Sequence, residues 1–430
     1  DELGIENIDL IIVNLYPFED TVSKEDVTEE DAIENIDIGG PSMIRASAKN
    51  FYSKTIVTCP DDYEMLIGEL DNNNCSVSYL MRKELALKAF KATALYDSNI
   101  QKHFLTTVEK VGIPQDLALG LSKKHDLRYG ENPHQKAGLY SFGNINDKSL
   151  LGANIFQGKE LSYNNFLDAN TAMRCSQEFN NPCCVIVKHV NPCGVAISDN
   201  ITNAYKKAFE TDPESAFGGV VAVNRTVDED FAKKLISNQF VEVIIAPNYD
   251  AGALEVFKQK NNIRVISVEG YKKNRIDFQI QSIDGGFLVQ EDDDKIITKD
   301  DLNFVTEKKP NQDEIEDLIF AWTVAKYVKS NAIVFAKNRQ TIGIGAGQMS
   351  RVNSAKIASL KAASANLDLT GAVMASDGFF PFSDSIEMAS DNGIDCIIQP
   401  GGSITDKEVI DAANKKDIAM VLTGMRHFRH

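Results

Sequence analysis

Lys188 and His189 end the run Val185-Ile-Val-Lys-His-Val-Asn-Pro-Cys-Gly194. β-Branched apolar residues followed by an Asn-Pro-Cys-Gly turn read as a buried strand delivering two titratable groups to its mouth. An imidazole exchanges a proton near neutral pH, and a neighbouring ammonium stabilises developing negative charge. The alternative is two solvated residues at a strand end, so the company these residues keep decides between the readings.

Four of the six histidines stand in unusual surroundings. His134 lies in the turn-rich Leu127-Arg-Tyr-Gly-Glu-Asn-Pro-His-Gln135, and His427 and His430 close the chain in Met425-Arg-His-Phe-Arg-His430. Arg128 and Tyr129 would grip a phosphate and stack on a ring; the basic tail would do likewise, or be a solvated end. Gly343-Ile-Gly-Ala-Gly-Gln-Met-Ser-Arg351 fails as a dinucleotide fingerprint, because position 348 is Gln and the residues before Asp368 read as an Ala-rich helix. A Gly-rich turn that aims Arg351 fits better. Ser376-Asp-Gly-Phe-Phe-Pro-Phe-Ser-Asp384 is either a core turn or an aromatic slot for a flat heterocycle. The zinc-deaminase signature fails, since His189-Val-Asn191 lacks its Glu and Pro192-Cys-Gly-Val-Ala196 lacks its second Cys. The expected chemistry is therefore acid–base, without zinc.

These residues need elements to hold them. The 430 residues suffice for two or three domains with their own cores, and 43% hydrophobic with 25% charged residues is ordinary for a globular chain. A net charge of 45 − 62 = −17 argues against nucleic acid as a partner. No apolar run reaches the length of a membrane span. The seven cysteines (59, 75, 175, 183, 184, 193 and 396) show no CxxC, which fits a reducing cytoplasm. Strand-like runs (Leu10–Leu15, Lys54–Cys59) alternate with helical ones (Tyr63–Leu70, Val77–Tyr96) up to about residue 115, a βα pattern. A polar linker is expected around Val111–Asp126. The run Ile8–Asn14 so close to Asp1 predicts a domain that lacks earlier strands of its sheet.

Beyond residue 126 the chain repeats itself. Val187–Ala196 parallels Val328–Ala336, Ser215–Gly219 parallels Ser376–Phe380, and Glu242–Pro247 parallels Asp395–Pro400. A diverged duplication predicts two similar α/β subdomains, from about 127 to 305 and from 306 to 430; chance similarity of α/β patterns is the alternative.

Taken together, Leu127–Gln135, Ser162–Asn165, Val187–Gly194, Ser215–Gly219, Ser330–Arg351, Ser376–Asp384, Gln399–Ser403 and the Arg-His-Phe-Arg-His end closely resemble the bifunctional purine-biosynthesis family. That family joins an AICAR transformylase to an IMP cyclohydrolase, and the bacterial type is nearer. Asn14–Phe18 and Asp37–Lys49 resemble the later part of the cyclohydrolase domain, and its earlier phosphate-binding part has no counterpart here. The resemblance implies a truncated methylglyoxal-synthase-like (Rossmann-like) domain over 1–115 and a duplicated cytidine-deaminase-like transformylase after it. It implies formyl transfer from 10-formyltetrahydrofolate to the 5-amino group of AICAR, with His189 taking the amine proton, Lys188 steadying the oxyanion and Asn165 near the reacting groups. AICAR would be held at Arg128, Tyr129, Gly218, Glu242, Asn331, Arg351, Asp384 and Arg426. Folate would meet Val352, Phe379, Ser403 and Ile404. Val13, Asn14, Tyr16, Asp37 and Ile38 match IMP-binding positions, and Lys49 a cyclohydrolase acid–base whose activity is expected to be impaired. A homodimer with shared sites is implied, and a monovalent cation is compatible with it. Two rivals are a nucleotide-binding regulator that has lost catalysis and a zinc deaminase. The Lys188–His189 pair argues against the first and the failed signature against the second.

Overall fold

A computed structural model of the chain describes residues 4, 7–24, 26–108, 112–145, 148–271 and 278–430. The chain forms two compact units. The first holds residues 1–126, 138–145 and 274–292, and the second holds 127–137, 146–273 and 293–430. No helix among the described residues is long and apolar enough to cross a membrane.

In the first unit, strand Leu10–Ile12 pairs in parallel with Thr55–Val57. Helices Gly39–Lys49 and Tyr79–Thr107 cover the pair, and Ile11 joins Ile44, Ala48, Ile56, Ala86 and Ala89 in a small core. Leu10 and Ile12 face outward and are exposed, although their unbroken apolar run predicts burial on both faces. Residues Leu121–Leu127, expected as linker, are a strand sheeted with Ala137–Phe142. Ser-Lys-Lys-His-Asp offers no apolar alternation from which that strand is readable. The start of the expected linker, Val111, lies outside the described residues.

The second unit is organised by one mixed sheet of twelve strands. At its centre lie two hairpins edge to edge: Cys183–Lys188 with Asn191–Ile197, and Ile333–Lys337 with Gln340–Gly345. Outward from the first come Gly219–Val223, Val241–Ala246, Arg264–Ser267 and Asn154–Gln157. Outward from the second come Val373–Ser376, Cys396–Gln399, Ala419–Leu422 and Asn303–Phe304. In each half the third strand runs antiparallel to the hairpin, the next two parallel, and the edge strand antiparallel. The two halves thus share one topology.

Alternation assigns the faces. Val185 and Val187, with Val334 and Ala336, point into one continuous core under helices Tyr163–Gln177 and Gln312–Ala325. Cys184 and Ile186 point to a second core, and Ile333 and Phe335 to a third. At 25 cal/mol per Å2 of apolar surface removed from water, such double-sided burial is the main force that holds the sheet.

The duplication is present, and Glu242–Pro247 and Asp395–Pro400 fall on equivalent strands, but the hairpins stand in a different register from the one the sequence suggests. One constant sequence offset relates Asp168 to Asp317, Lys188 to Lys337 and Gly194 to Gly343. The counterpart of Lys188-His189-Val190 is therefore Lys337-Asn338-Arg339, and Val328–Asn331 lies before the hairpin. Buried strands are all short Val/Ile/Ala runs, so apolar pattern cannot distinguish one register from the next. Gly194 and Gly343 themselves admit a helix: a Cβ at either would overlap the carbonyl oxygen of Ala208 or Ala358. Gly343 and Gly345 are thus strand residues packed under a helix, and not the turn expected to aim Arg351.

Only one Cα pair, Gln340↔Ala196, registers across the seam between the hairpins. The Thr341 hydroxyl completes it, accepting from the Val195 N–H at 2.9 Å and donating to the Val195 carbonyl at 3.1 Å. Thr341→Val would strand the buried Val195 N–H, and we expect a loss of about 1–3 kcal/mol in denaturant unfolding; an unchanged midpoint would contradict the role given to this hydroxyl. Five of the seven thiols are buried, and burial pushes that of Cys193 up to about 12. Titration with a disulfide reagent at pH 8 should modify exposed Cys75 first and half-buried Cys59 next, and leave Cys175, Cys183, Cys184, Cys193 and Cys396 until denaturant is added.

Candidate active site

His189 and Val190 form the two-residue turn of the first hairpin, with Lys188 and Asn191 paired across its base. Both turn residues are left-handed, at φ 51 and 64. The right-handed strand twist favours such a turn, yet Asn and Gly are its usual occupants, and a β-branched residue there is a real outlier. His189 is exposed, and Lys188 is half-buried. The Lys188 Nζ donates to the carbonyls of Phe217 and Gly218, each at 3.0 Å. Gly218 has φ 66, and a Cβ there would come within 3.2 Å of the Lys188 Nζ. The left-handed backbone thus favours glycine here, and a Cβ would also press on the ammonium.

Helix Tyr163–Gln177 lies against this hairpin. Its Ser162 and Asn165 form a capping box, with the Asn165 side chain accepting from the Ser162 N–H at 3.2 Å. One turn further, Asp168 Oδ1 accepts the Val190 N–H at 2.6 Å. Burial pushes the Asp168 carboxyl up, opposed by that N–H and by the charges of His189 and Lys188. Asp168 escaped the sequence reading, although three residues from Asn165 places both on one helical face.

The turn joins the second half through Asn191, whose Oδ1 accepts the Lys329 N–H at 2.9 Å. Ser330 and Asn331 follow. The Asn331 Nδ2 donates to the Gln348 carbonyl at 2.8 Å, and the Asn331 carbonyl accepts from the Ser354 hydroxyl at 2.8 Å. Asp377, fully buried, accepts from the Ser330 hydroxyl at 2.5 Å and from the Arg351 Nη2 at 3.2 Å. The Arg351 Nε donates to the Ser376 hydroxyl. The Phe428 ring has the Arg426 guanidinium 4.4 Å from its centre and that of Arg351 at 5.6 Å. Ser330, Asn331, Gly347, Gln348, Met349, Phe428 and His430 border an open cleft of about 270 Å3.

The chain end is therefore built into this unit. The Arg429 N–H donates to the Ser330 hydroxyl, and its guanidinium reaches Thr171 at 2.8 Å. His427 is buried, 2.5 Å from Asp293, with its ring tilted against that of Trp322 at 5.1 Å between centres.

Other expected positions are more scattered. Arg128 stacks on Tyr129 at 4.7 Å. Glu242 is paired with Arg264 at 2.8 Å. Asp384 is exposed and opens helix Asp384–Asp391. The Phe cluster divides: Phe380 is buried core, whereas Phe379 and Phe382 are exposed. Val352 lies in helix Arg351–Ser364. Ser403 and Ile404 sit on a loop tied to that cluster, since the Thr405 hydroxyl donates to the Pro381 carbonyl at 2.9 Å. Ile404 is fully exposed beside it.

In the first unit, Asp37 gathers several expected residues. Its Oδ2 accepts the Tyr16 N–H at 3.3 Å and its Oδ1 the Gly40 N–H at 2.7 Å. The Asp37 N–H donates to the Tyr96 hydroxyl, a partner the sequence did not reveal. The Val13 N–H donates to the Val57 carbonyl, and the Asn14 Nδ2 to the Tyr63 hydroxyl. Ile38 and Lys49 are exposed at opposite ends of helix Gly39–Lys49.

A solved structure described as "Crystal structure of ForH" is 32% identical to this chain over a match covering 24% of this chain and 53% of that one, with a TM-score of 0.20. The chain thus spans about half of that protein's length. The model of the AICARFT/IMPCHase bienzyme family matches residues 47–361, and the chain belongs to that family.

Proposed function

We propose that the second unit transfers the formyl group of 10-formyltetrahydrofolate to the 5-amino group of AICAR in purine biosynthesis. The observation that carries this reading is the Lys188–His189 turn joined through Asn191 to the strand entry at Lys329–Asn331. Proton acceptor, cation and amide-rich cleft then belong to one seam, in a chain of the bienzyme family.

The amine is a poor nucleophile because its lone pair is delocalised into the imidazole carboxamide. As its nitrogen bonds to the formyl carbon, His189 takes the amine proton, and charge gathers on the formyl oxygen. Lys188, already oriented by two carbonyls, stabilises that oxyanion. Collapse breaks the bond from formyl carbon to folate N10, which leaves with a proton from Lys188. FAICAR and tetrahydrofolate result.

Arg351, Asn331 and Arg426 hold the nucleotide, joined by Arg128, Tyr129, Gly218, Glu242 and Asp384, while Val352, Phe379, Ser403 and Ile404 receive the folate. We assign Asn165 to the surroundings of the reacting groups. In architecture we read a methylglyoxal-synthase-like region in the first unit, and two cytidine-deaminase-like halves in the second. In the first unit we read Tyr16, Asp37 and Lys49, with Val13, Asn14 and Ile38, as part of a cyclohydrolase site that closes FAICAR to IMP. The protein works as a cytoplasmic homodimer whose sites draw on both subunits.

His189→Ala should lower kcat for formyl transfer by about 10²–10⁴-fold, the range of a positioned general base; equal rates for parent and variant would remove the assignment. Specific activity should fall on dilution in step with dissociation to monomers, followed by sedimentation. A monomeric preparation with full activity would refute the shared site.

A further inference from the structure

We propose that Asp168 is a positioning residue for His189, acting as a hydrogen-bond acceptor that clamps the left-handed turn on which His189 is mounted. The inference rests on the reading of His189 as the proton acceptor.

The turn has reason to need a clamp. His189 and Val190 both occupy the left-handed region, at φ 51 and 64, without a glycine or asparagine between them. That region is unfavourable for a residue with a Cβ, and a β-branched side chain suffers most. The conformation persists only if its surroundings over-determine it. Asp168 supplies the constraint: it projects from helix Tyr163–Gln177, which packs on the sheet, and accepts the Val190 N–H at 2.6 Å.

The second half contains the same device at the equivalent place. Asp317, from helix Gln312–Ala325, accepts the Asn338 and Arg339 N–H groups at 2.7 and 2.6 Å. That turn has φ values of 54 and 55. Its residues are Asn and Arg, neither of them β-branched, so the left-handed region strains them less than it strains Val190. A carboxylate on the covering helix thus belongs to the duplicated architecture. In one copy it holds a compliant turn with no assigned chemistry, and in the other a strained turn that bears the imidazole. The charged groups around Asp168 are Lys188 and His189 themselves, and Lys188 is separately anchored on the Phe217 and Gly218 carbonyls. Releasing the turn would therefore move His189 relative to a fixed Lys188. Displacement of a reacting group by about 1 Å can cost roughly 10²-fold in rate.

The test compares Asp168→Ala, Asp168→Asn and Asp317→Ala in the full chain. Asp168→Ala should lower kcat by about 100-fold, with the KM for AICAR within about threefold of the parent. Asp168→Asn keeps an acceptor without the charge, and should recover at least about tenfold of that loss. Asp317→Ala should lower Tm comparably and leave kcat within about twofold. The proposal falls if Asp168→Ala stays within about threefold of the parent in kcat, or if Asp317→Ala loses as much kcat as Asp168→Ala. Amide hydrogen exchange at Val190 separates this inference from the functional reading. A parent chain without formyl transfer would sink that reading, whereas the clamp is refuted if Val190 exchange is no faster in Asp168→Ala than in the parent.

Discussion

The second unit depends on the seam where two hairpins meet edge to edge. A sheet edge presents unpaired N–H and C=O groups, and each half-sheet alone would expose one at its hairpin. Joining them removes both edges and makes a single sheet whose face under helices Tyr163–Gln177 and Gln312–Ala325 is one continuous core. Backbone pairing at the seam is sparse, so the Thr341 hydroxyl bonds both the N–H and the C=O of Val195. The same hydroxyl lies 2.9 Å from that of Thr211, which itself donates to the Thr341 carbonyl at 2.6 Å. Helix, hairpin and seam are therefore linked through buried hydroxyls.

From that seam follows the location of the candidate chemistry. Because the hairpins run antiparallel to one another, the first turn emerges beside the strand entry of the second half, and the second turn beside Ile197, whose N–H donates to the Arg339 carbonyl. Asn191 fixes the first of these junctions with one side-chain bond to Lys329. Neither half by itself would set the Lys188–His189 turn beside Lys329.

Beneath the junction the polar groups are buried and paired. Asp377 meets Arg351 and Ser330, and Lys326 meets Glu178 at 3.1 Å with the Tyr327 hydroxyl on the same carboxylate at 2.5 Å. Removing one member of such a set leaves an uncompensated charge, at a cost of about 3–5 kcal/mol. Duplication supplied two copies of this scaffold, whose turns carry His-Val in one and Asn-Arg in the other.

Much was legible before any coordinates. Strand-like runs of Val and Ile, the motif blocks from Leu127 to His430 and the failed zinc signature pointed to an α/β family member with acid–base chemistry. These are properties of residue type and local order, which a sequence states outright. Asp168, Asp377, Tyr96 and the Thr341 seam were not legible, because each acts on a partner far along the chain or through one hydrogen bond that composition does not mark. The hairpin register of the repeat differs from the sequence expectation for a related reason, since equivalent strands share apolarity but not identity, whereas Glu242–Pro247 and Asp395–Pro400 do fall on equivalent strands. The sequence by itself determined the α/β class, the family and which residues are candidates for its chemistry. The tertiary structure alone decided where the turns emerge and what holds them, because strand register and left-handed backbone are settled by long-range packing and not by local preference.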